Sequence, residues 1–149
     1  MEIIEYYKSQ NRERWRIEIA KSDWSAAKLL WKWLENDNLK KICGSSTEVF
    51  LLTEGEALVS FAVLAEQDEV AAPELLPWIG FVYTFPQYRG GHCAGKLIEH
   101  ICSVLKNAGE KQVYISTEEI GLYEKYGFVF WQMMITSEGK PTRVYVRKV

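Results

Sequence analysis

The stretch Pro86-Gln87-Tyr88-Arg89-Gly90-Gly91-His92-Cys93-Ala94-Gly95-Lys96-Leu97-Ile98 joins an apolar run that ends in aromatics, Trp78–Phe85, to a segment of helical period. Strand, glycine turn and helix N-terminus in that order aim main-chain N–H groups and the positive end of a helix dipole at one point, which suits a phosphate. Glycines at 90, 91 and 95 let a ligand approach the main chain and permit positive φ, and Arg89 adds a guanidinium. The segment is therefore a candidate pyrophosphate cradle. A turn whose glycines only cap and pack is the alternative. It is not a P-loop, because Gly91 and Gly95 are too close and Leu97 follows Lys96 where a hydroxyl would bind magnesium. The Gly-x-Gly-x-x-Gly dinucleotide spacing is absent as well.

Outward from this stretch, the periodicity places alternating elements. Residues 1–21 are ambiguous: Trp15, Ile17 and Ile19 alternate as in a strand, while the Arg and Glu between them tolerate a helix. Ser22-Asp23 reads as an N-cap region, followed by a helix with Trp24, Ala27, Trp31 and Leu34 on its inward face and an end near Asn36-Asp37-Asn38. That tryptophan-rich face reads as core rather than as a ligand cage. Val49–Thr53 and Ala57–Ala65 flank the turn Glu54-Gly55 as a hairpin. Gln67–Pro77 is a loop with acids and prolines, and Trp78–Phe85 is the strand that delivers the turn. A helix from Gly91 to about Lys106 buries Ala94, Leu97, Ile98, Ile101, Cys102 and Leu105, stopped by Asn107 and Gly109. Gln112–Ser116 is a short strand and Glu118–Tyr126 a short helix, and Phe128–Ile135 with Thr142–Arg147 forms a second hairpin. The order is mixed α/β, with a right-handed crossover from the glycine-turn strand to strand 112–116.

At 149 residues the chain is expected to form a single domain spanning 1–149. Hydrophobic residues at 48% and charged ones at 26% describe an ordinary globule. A net charge of −2 argues against a general nucleic-acid binder. No run is long and apolar enough for a membrane span, and Glu2, Glu5 and Lys8 break any secretory signal. Three cysteines without Cys-x-x-Cys spacing fit neither a disulfide framework nor a metal site, so a reduced, cytoplasmic protein without metal is expected.

Arg89-Gly90-Gly91-His92-Cys93-Ala94 resembles the acetyl-CoA signature of the GCN5-related N-acetyltransferases (GNAT family), Arg/Gln-x-x-Gly-x-Gly/Ala, departing at His92, where glycine is usual. Downstream, Gly121-Leu122-Tyr123-Glu124-Lys125-Tyr126-Gly127-Phe128 is similar to the family's Leu-Tyr-Glu-Lys-x-Gly-Phe stretch. The likeness covers roughly residues 20–149. It implies a mixed, mostly antiparallel sheet flanked by helices, with the glycine-turn strand and the next one splayed apart. It also implies that the pantetheine arm of acetyl-CoA lies in that gap against the main chain near Val82, Tyr83 and Thr84, with the pyrophosphate on Arg89, Gly90, Gly91, His92, Cys93, Ala94 and Gly95.

The implied reaction moves an acetyl group to an amine in a ternary complex. Such transfer requires loss of a proton from the amine, stabilisation of an oxyanion and protonation of the departing thiolate. Tyr123 stands where the family places that acid, Tyr126 reads as packing, and Ser116 stands where relatives bond the cofactor through asparagine. Relatives often carry a glutamate on the glycine-turn strand, but Trp78–Phe85 has no acid. Glu66, Asp68, Glu118 and Glu119 are the remaining candidates for a base, and loss of the proton to solvent through ordered water would require no dedicated residue. A primary amine of a small molecule is the expected acceptor. A peptide or protein amine, a non-catalytic acyl-CoA sensor and a different phosphate-ligand binder are the alternatives. The sequence leaves open whether the acyl group is acetyl or longer, and whether the chain is a monomer or a homodimer.

Overall fold

Strands β2 (Glu48–Glu54) and β3 (Ala57–Ala65) carry the continuous apolar runs Val49–Leu52 and Phe61–Ala65 because both faces of their sheet are covered. Val49, Leu51, Phe61 and Val63 pack on one face with Trp15, Ile19, Ala27, Leu30 and Leu34. Phe50, Leu52, Val59 and Ala62 pack on the other with Leu97, Ile98, Ile101 and Leu105. In this computed structural model, which describes all of residues 1–149, helices α1 (Arg12–Ala20) and α2 (Ser25–Glu35) cover the first face, and α4 (Cys93–Asn107) covers the second.

The sheet has seven strands in the order β1-β2-β3-β4-β5-β7-β6. Here β1 is Glu2–Glu5, β4 Trp78–Thr84, β5 Gln112–Thr117, β6 Val129–Ile135 and β7 Pro141–Lys148. All neighbouring pairs are antiparallel except β4 with β5, the pair that α4 connects. The mixed, mostly antiparallel sheet flanked by helices is as expected from the sequence.

Several local expectations are corrected. Residues 1–21 contain both kinds of element: Glu2–Glu5 pairs with β2, and Arg12–Ala20 is helical. Trp15 and Ile19, four apart, are buried, while Ile17 is 50% exposed, which is helical rather than strand spacing. Helix α3 (Leu39–Cys43) lies between the expected helix end at Asn36-Asp37-Asn38 and the hairpin, where no element was expected. On α2 the inward positions are Ala27, Leu30 and Leu34, and Trp31 turns toward solvent. Residues 118–122 are irregular, and only Tyr123–Tyr126 forms a single 3₁₀ turn, not the helix expected over Glu118–Tyr126. Cys43, Cys93 and Cys102 are buried free thiols. No helix is long and apolar enough to cross a membrane.

Candidate active site

The parallel pair β4 and β5 opens almost as soon as it forms. Its ladder runs only through Trp78↔Tyr114 and Ile79↔Ile115. Beyond Ile79, β4 pairs with β3 alone, and beyond Ile115, β5 pairs with β7 alone. A bulge in β4 helps to part them: Ala62 stands opposite both Phe81 and Val82, and Phe81 has a φ of 50°. The gap holds a cavity of about 530 Å³, a size suited to small-molecule sites. Gly80, Phe81, Val82, Ile115, Ser116 and Tyr123 line it from the sheet side.

The same bulge brings Phe81 to α2. Its ring meets Trp33 edge-on at 5.9 Å and Trp24 at 6.5 Å, and Trp24 stacks on Tyr83 at 5.6 Å. Trp24 and Trp33 line the cavity, so part of the tryptophan-rich helix is a wall of the site rather than sealed core. The Tyr83 hydroxyl donates to Asp23 Oδ1 at 3.2 Å, and the Ser60 hydroxyl donates to the Tyr83 carbonyl at 2.6 Å, which holds β4 in place. Thr84 closes the strand, its hydroxyl 3.0 Å from that of Ser60.

At the end of β4 the chain enters the glycine turn. Arg89 Nε donates to the Thr84 carbonyl at 3.0 Å, and the guanidinium lies 5.5 Å from the Tyr83 ring centre. Gly90 has φ 90° and His92 has φ 56°. The first main-chain bond of α4 runs from Lys96 N to the His92 carbonyl, and no side chain caps the helix. The N–H groups of Gly90, Gly91, His92, Cys93, Ala94 and Gly95 therefore form an unbroken run without protein acceptors. Gly95 serves packing: a Cβ there would stand 2.7 Å from the Tyr126 ring. That contact gives Tyr126 the packing role expected of it.

Tyr123 is buried against Phe128 at 6.1 Å, edge to face, and lines the cavity. Burial, with smaller contributions from Glu119 and Tyr126, pushes its phenol up to about 12, so the hydroxyl keeps its proton at neutral pH. The Ser116 hydroxyl is engaged, donating to Glu69 Oε1 at 2.7 Å and lying 2.8 Å from Thr142 Oγ1.

The carboxylates separate by position. Glu66 accepts from the Ser46 N–H at 2.8 Å and the Ser46 hydroxyl at 2.7 Å, which hold it below the usual carboxylate range, away from the cavity lining. Glu118 and Glu119 are exposed and also lie outside the lining. Asp68 is the one expected base candidate on the cavity wall, joined there by Glu69 and Glu138. Burial pushes Asp68 up to about 7, opposed by the Glu69 main-chain N–H and reinforced by the Glu69 charge. No Lys, Arg or His lines the cavity. Glu69, Glu138, Trp24, Trp33 and Phe81 were not singled out for the site from the sequence. The absence of an acid on β4 was the one sequence signal that any carboxylate at the site comes from another element.

A family model described as an acetyltransferase (GNAT) domain matches residues 45–130, which spans β2 through the first residues of β6. The chain belongs to the GNAT family. Solved structures of the fold agree along nearly the whole chain. A GNAT-family protein from Desulfovibrio desulfuricans, described as a putative acetyltransferase, superposes with a TM-score of 0.72 at 10% identity, covering 99% of each chain. An aminoglycoside 6'-N-acetyltransferase complexed with coenzyme A gives 0.70 at 11% identity, covering 99% of this chain and 97% of that one. A GNAT acetyltransferase from Elizabethkingia anophelis with acetyl-CoA bound gives 0.62 at 16% identity, covering 88% of each. No curated protein sequence matches the chain. At these identities the structures speak for the GNAT fold, and the splayed β4–β5 pair is the part of that fold that carries the cavity. No group of three or more His, Cys, Asp or Glu side chains is placed to hold a metal ion.

Proposed function

We propose that the protein transfers the acetyl group of acetyl-CoA directly to the primary amine of a small, cationic molecule. The observation that carries this reading is the run of unpartnered N–H groups from Gly90 to Gly95 at the end of the strand that bounds the cavity. These groups, with the α4 dipole and Arg89, complement a pyrophosphate. The unpaired edge of β4 past Ile79, at Val82, Tyr83 and Thr84, accommodates the pantetheine arm. Acetyl-CoA and coenzyme A are the ligands named for two of the superposed proteins.

The acceptor side is acidic and aromatic. Asp68, Glu69 and Glu138 line the cavity among Trp24, Trp33 and Phe81, and Lys140, whose Nζ stands 3.8 Å from Glu138 Oε2, lies outside that lining. Such a wall attracts an ammonium group and holds an apolar body beside it. Ser116 fixes Glu69 in that wall. An aminoglycoside is the acceptor named for one superposed protein, and its polycationic character suits the same lining.

In the reaction, the neutral amine nitrogen attacks the thioester carbonyl carbon. The C–N bond forms and the C–S bond then breaks, with its electron pair leaving on sulfur. Tyr123 stands on the cavity wall with its hydroxyl unbonded to protein and firmly protonated. It donates a hydrogen bond to the leaving sulfur and supplies its proton. The surplus proton on the product nitrogen then returns to the phenolate. A phenol held near 12 is a weak acid, so the donated hydrogen bond and the return of that proton are coupled.

The test is calorimetry with acetyl-CoA, followed by free-thiol release with kanamycin, spermidine, tyramine and an N-terminal peptide amine. Saturable binding and turnover of at least one small amine are expected. Binding without turnover would make the domain an acyl-CoA module. Turnover of the peptide alone would move the acceptor to proteins.

A further inference from the structure

We propose that Asp68 is the base that deprotonates the acceptor amine, reaching the reacting centre from the β3–β4 loop across a notch left by Gly80. This rests on the acetyltransferase reading above. Strand β4 has no acid, but its main chain is bare at Gly80, the last residue before the bulge. A Cβ on Gly80 would collide with Asp68 Oδ1. The Asp68 carboxylate thus occupies the space that a side chain on β4 would take. The loop delivers to the strand position an acid that the strand does not encode. Gly80 has no positive φ that would demand glycine, so the close approach of Asp68 accounts for its lack of a side chain.

Asp68 is also free to work. Glu66 is tied to Ser46 and Glu69 to Ser116, whereas Asp68 accepts only from the Glu69 main-chain N–H. The titratable groups around its cavity are Glu69, Glu138, the Cys43 thiol and Tyr123. None is cationic, so none holds Asp68 permanently ionised. Its own charge helps to raise Cys43, after burial. A carboxylate titrating near neutrality takes a proton from an ammonium group and releases it to water with little penalty in either direction. The balance closes: R–NH3⁺ gives one proton to Asp68, the nitrogen lone pair then attacks the thioester, and protonated Asp68 returns the proton to solvent.

The test compares the wild type with Asp68→Asn and Gly80→Ala, using acetyl-CoA and two kinds of nucleophile. The first is whichever of kanamycin, spermidine or tyramine the wild type acetylates fastest, each largely protonated at pH 7. The second is hydroxylamine, largely neutral there, with the uncatalysed rate subtracted. Asp68→Asn should lower kcat/KM for the protonated amine by about 10²-fold or more. The hydroxylamine rate should stay within about threefold, and acetyl-CoA affinity within about twofold. Gly80→Ala, which displaces the carboxylate without removing it, should cost roughly tenfold with the amine only. The wild-type kcat/KM for the amine should rise with pH and bend near 7, and the bend should vanish in Asp68→Asn.

Equal losses with both nucleophiles would make Asp68 structural and overturn the proposal. So would an Asp68→Asn enzyme within threefold of the wild type on the protonated amine. If the wild type binds acetyl-CoA yet acetylates none of these amines, the acetyltransferase reading itself fails and the base falls with it. Loss in the variant alone, against an active wild type, speaks only to Asp68.

Discussion

At the residue scale, similar side chains are set apart by what they touch. Tyr123 and Tyr126 lie on one short turn, but Tyr123 lines the cavity while the Tyr126 ring rests on Gly95. Tyr123→Phe should keep the fold and acetyl-CoA binding and lower kcat by roughly 10²-fold or more. Tyr126→Phe should change kcat less than about threefold, because its packing ring remains. Stopped-flow thiol release on both variants provides the contrast, and an unchanged Tyr123→Phe would remove it as the proton donor. His92 makes a different case. Its φ of 56° is left-handed, a conformation that costs most side chains about 1 kcal/mol or more. His92→Gly should therefore raise stability in urea melts by roughly 0.5–1 kcal/mol, with acetyl-CoA affinity changed only a few-fold, since the main-chain N–H remains. A large loss of affinity would mean that the imidazole itself contacts the ligand. The departure from the signature at His92 is thus legible as a backbone matter only once its dihedral is known.

Elements were legible in the sequence where burial on two faces forces a pattern, and illegible where a partner supplies the pattern. β2 and β3 stand out because each alternate set of residues is wanted by a different core. β1 does not, because Glu2–Glu5 is ordered by its edge pairing with β2. The bulge at Phe81 is invisible in an unbroken apolar run, and with it goes the reason why Trp24 and Trp33 face a cavity. Residues 118–122 look helical by period, yet Glu124 caps the Gly121 N–H at 3.1 Å and holds an irregular loop instead. The glycine turn and α4 were readable, and they permit a test whose two readouts move in opposite directions. Gly91 has ordinary φ, and a Cβ there meets nothing closer than 3.5 Å. Gly91→Asp should fold, and its charge beside the α4 N-terminus should stabilise the protein by about 0.3–1 kcal/mol. The same charge should repel the pyrophosphate and weaken acetyl-CoA binding at least tenfold in calorimetry. A variant that is more stable and binds equally well would sink the cradle.

At the scale of the whole molecule, the acids pull the pH dependence of stability in opposite directions. Glu99 on α4 makes a paired contact with Arg147 on β7, at 2.7 and 3.1 Å, which holds its carboxyl below the usual range. A lowered carboxylate contributes stability above its unfolded pKa and loses it as the solution is acidified. Asp68 has the reverse sign, since its folded pKa, about 7, lies above that of the unfolded chain, roughly 4. The folded state binds the extra proton between these values, so stability falls as pH rises from about 4 to 7 and stays lower beyond. The ionised side chain on the cavity wall therefore costs the fold stability. Asp68→Asn removes the charge while keeping the shape. At pH 8 it should therefore raise stability by up to about 4 kcal/mol, the linkage value of a rise from roughly 4 to about 7, and Tm by several degrees for a chain of this size. At pH 4 the two proteins should melt together. Glu99→Gln should behave oppositely, less stable than the wild type at pH 7 and converging with it toward pH 3. Thermal melts across that range separate the two effects. An Asp68→Asn protein less stable than the wild type at pH 8 would show that the carboxylate is bonded rather than stranded, and that the cavity was built to hold its charge.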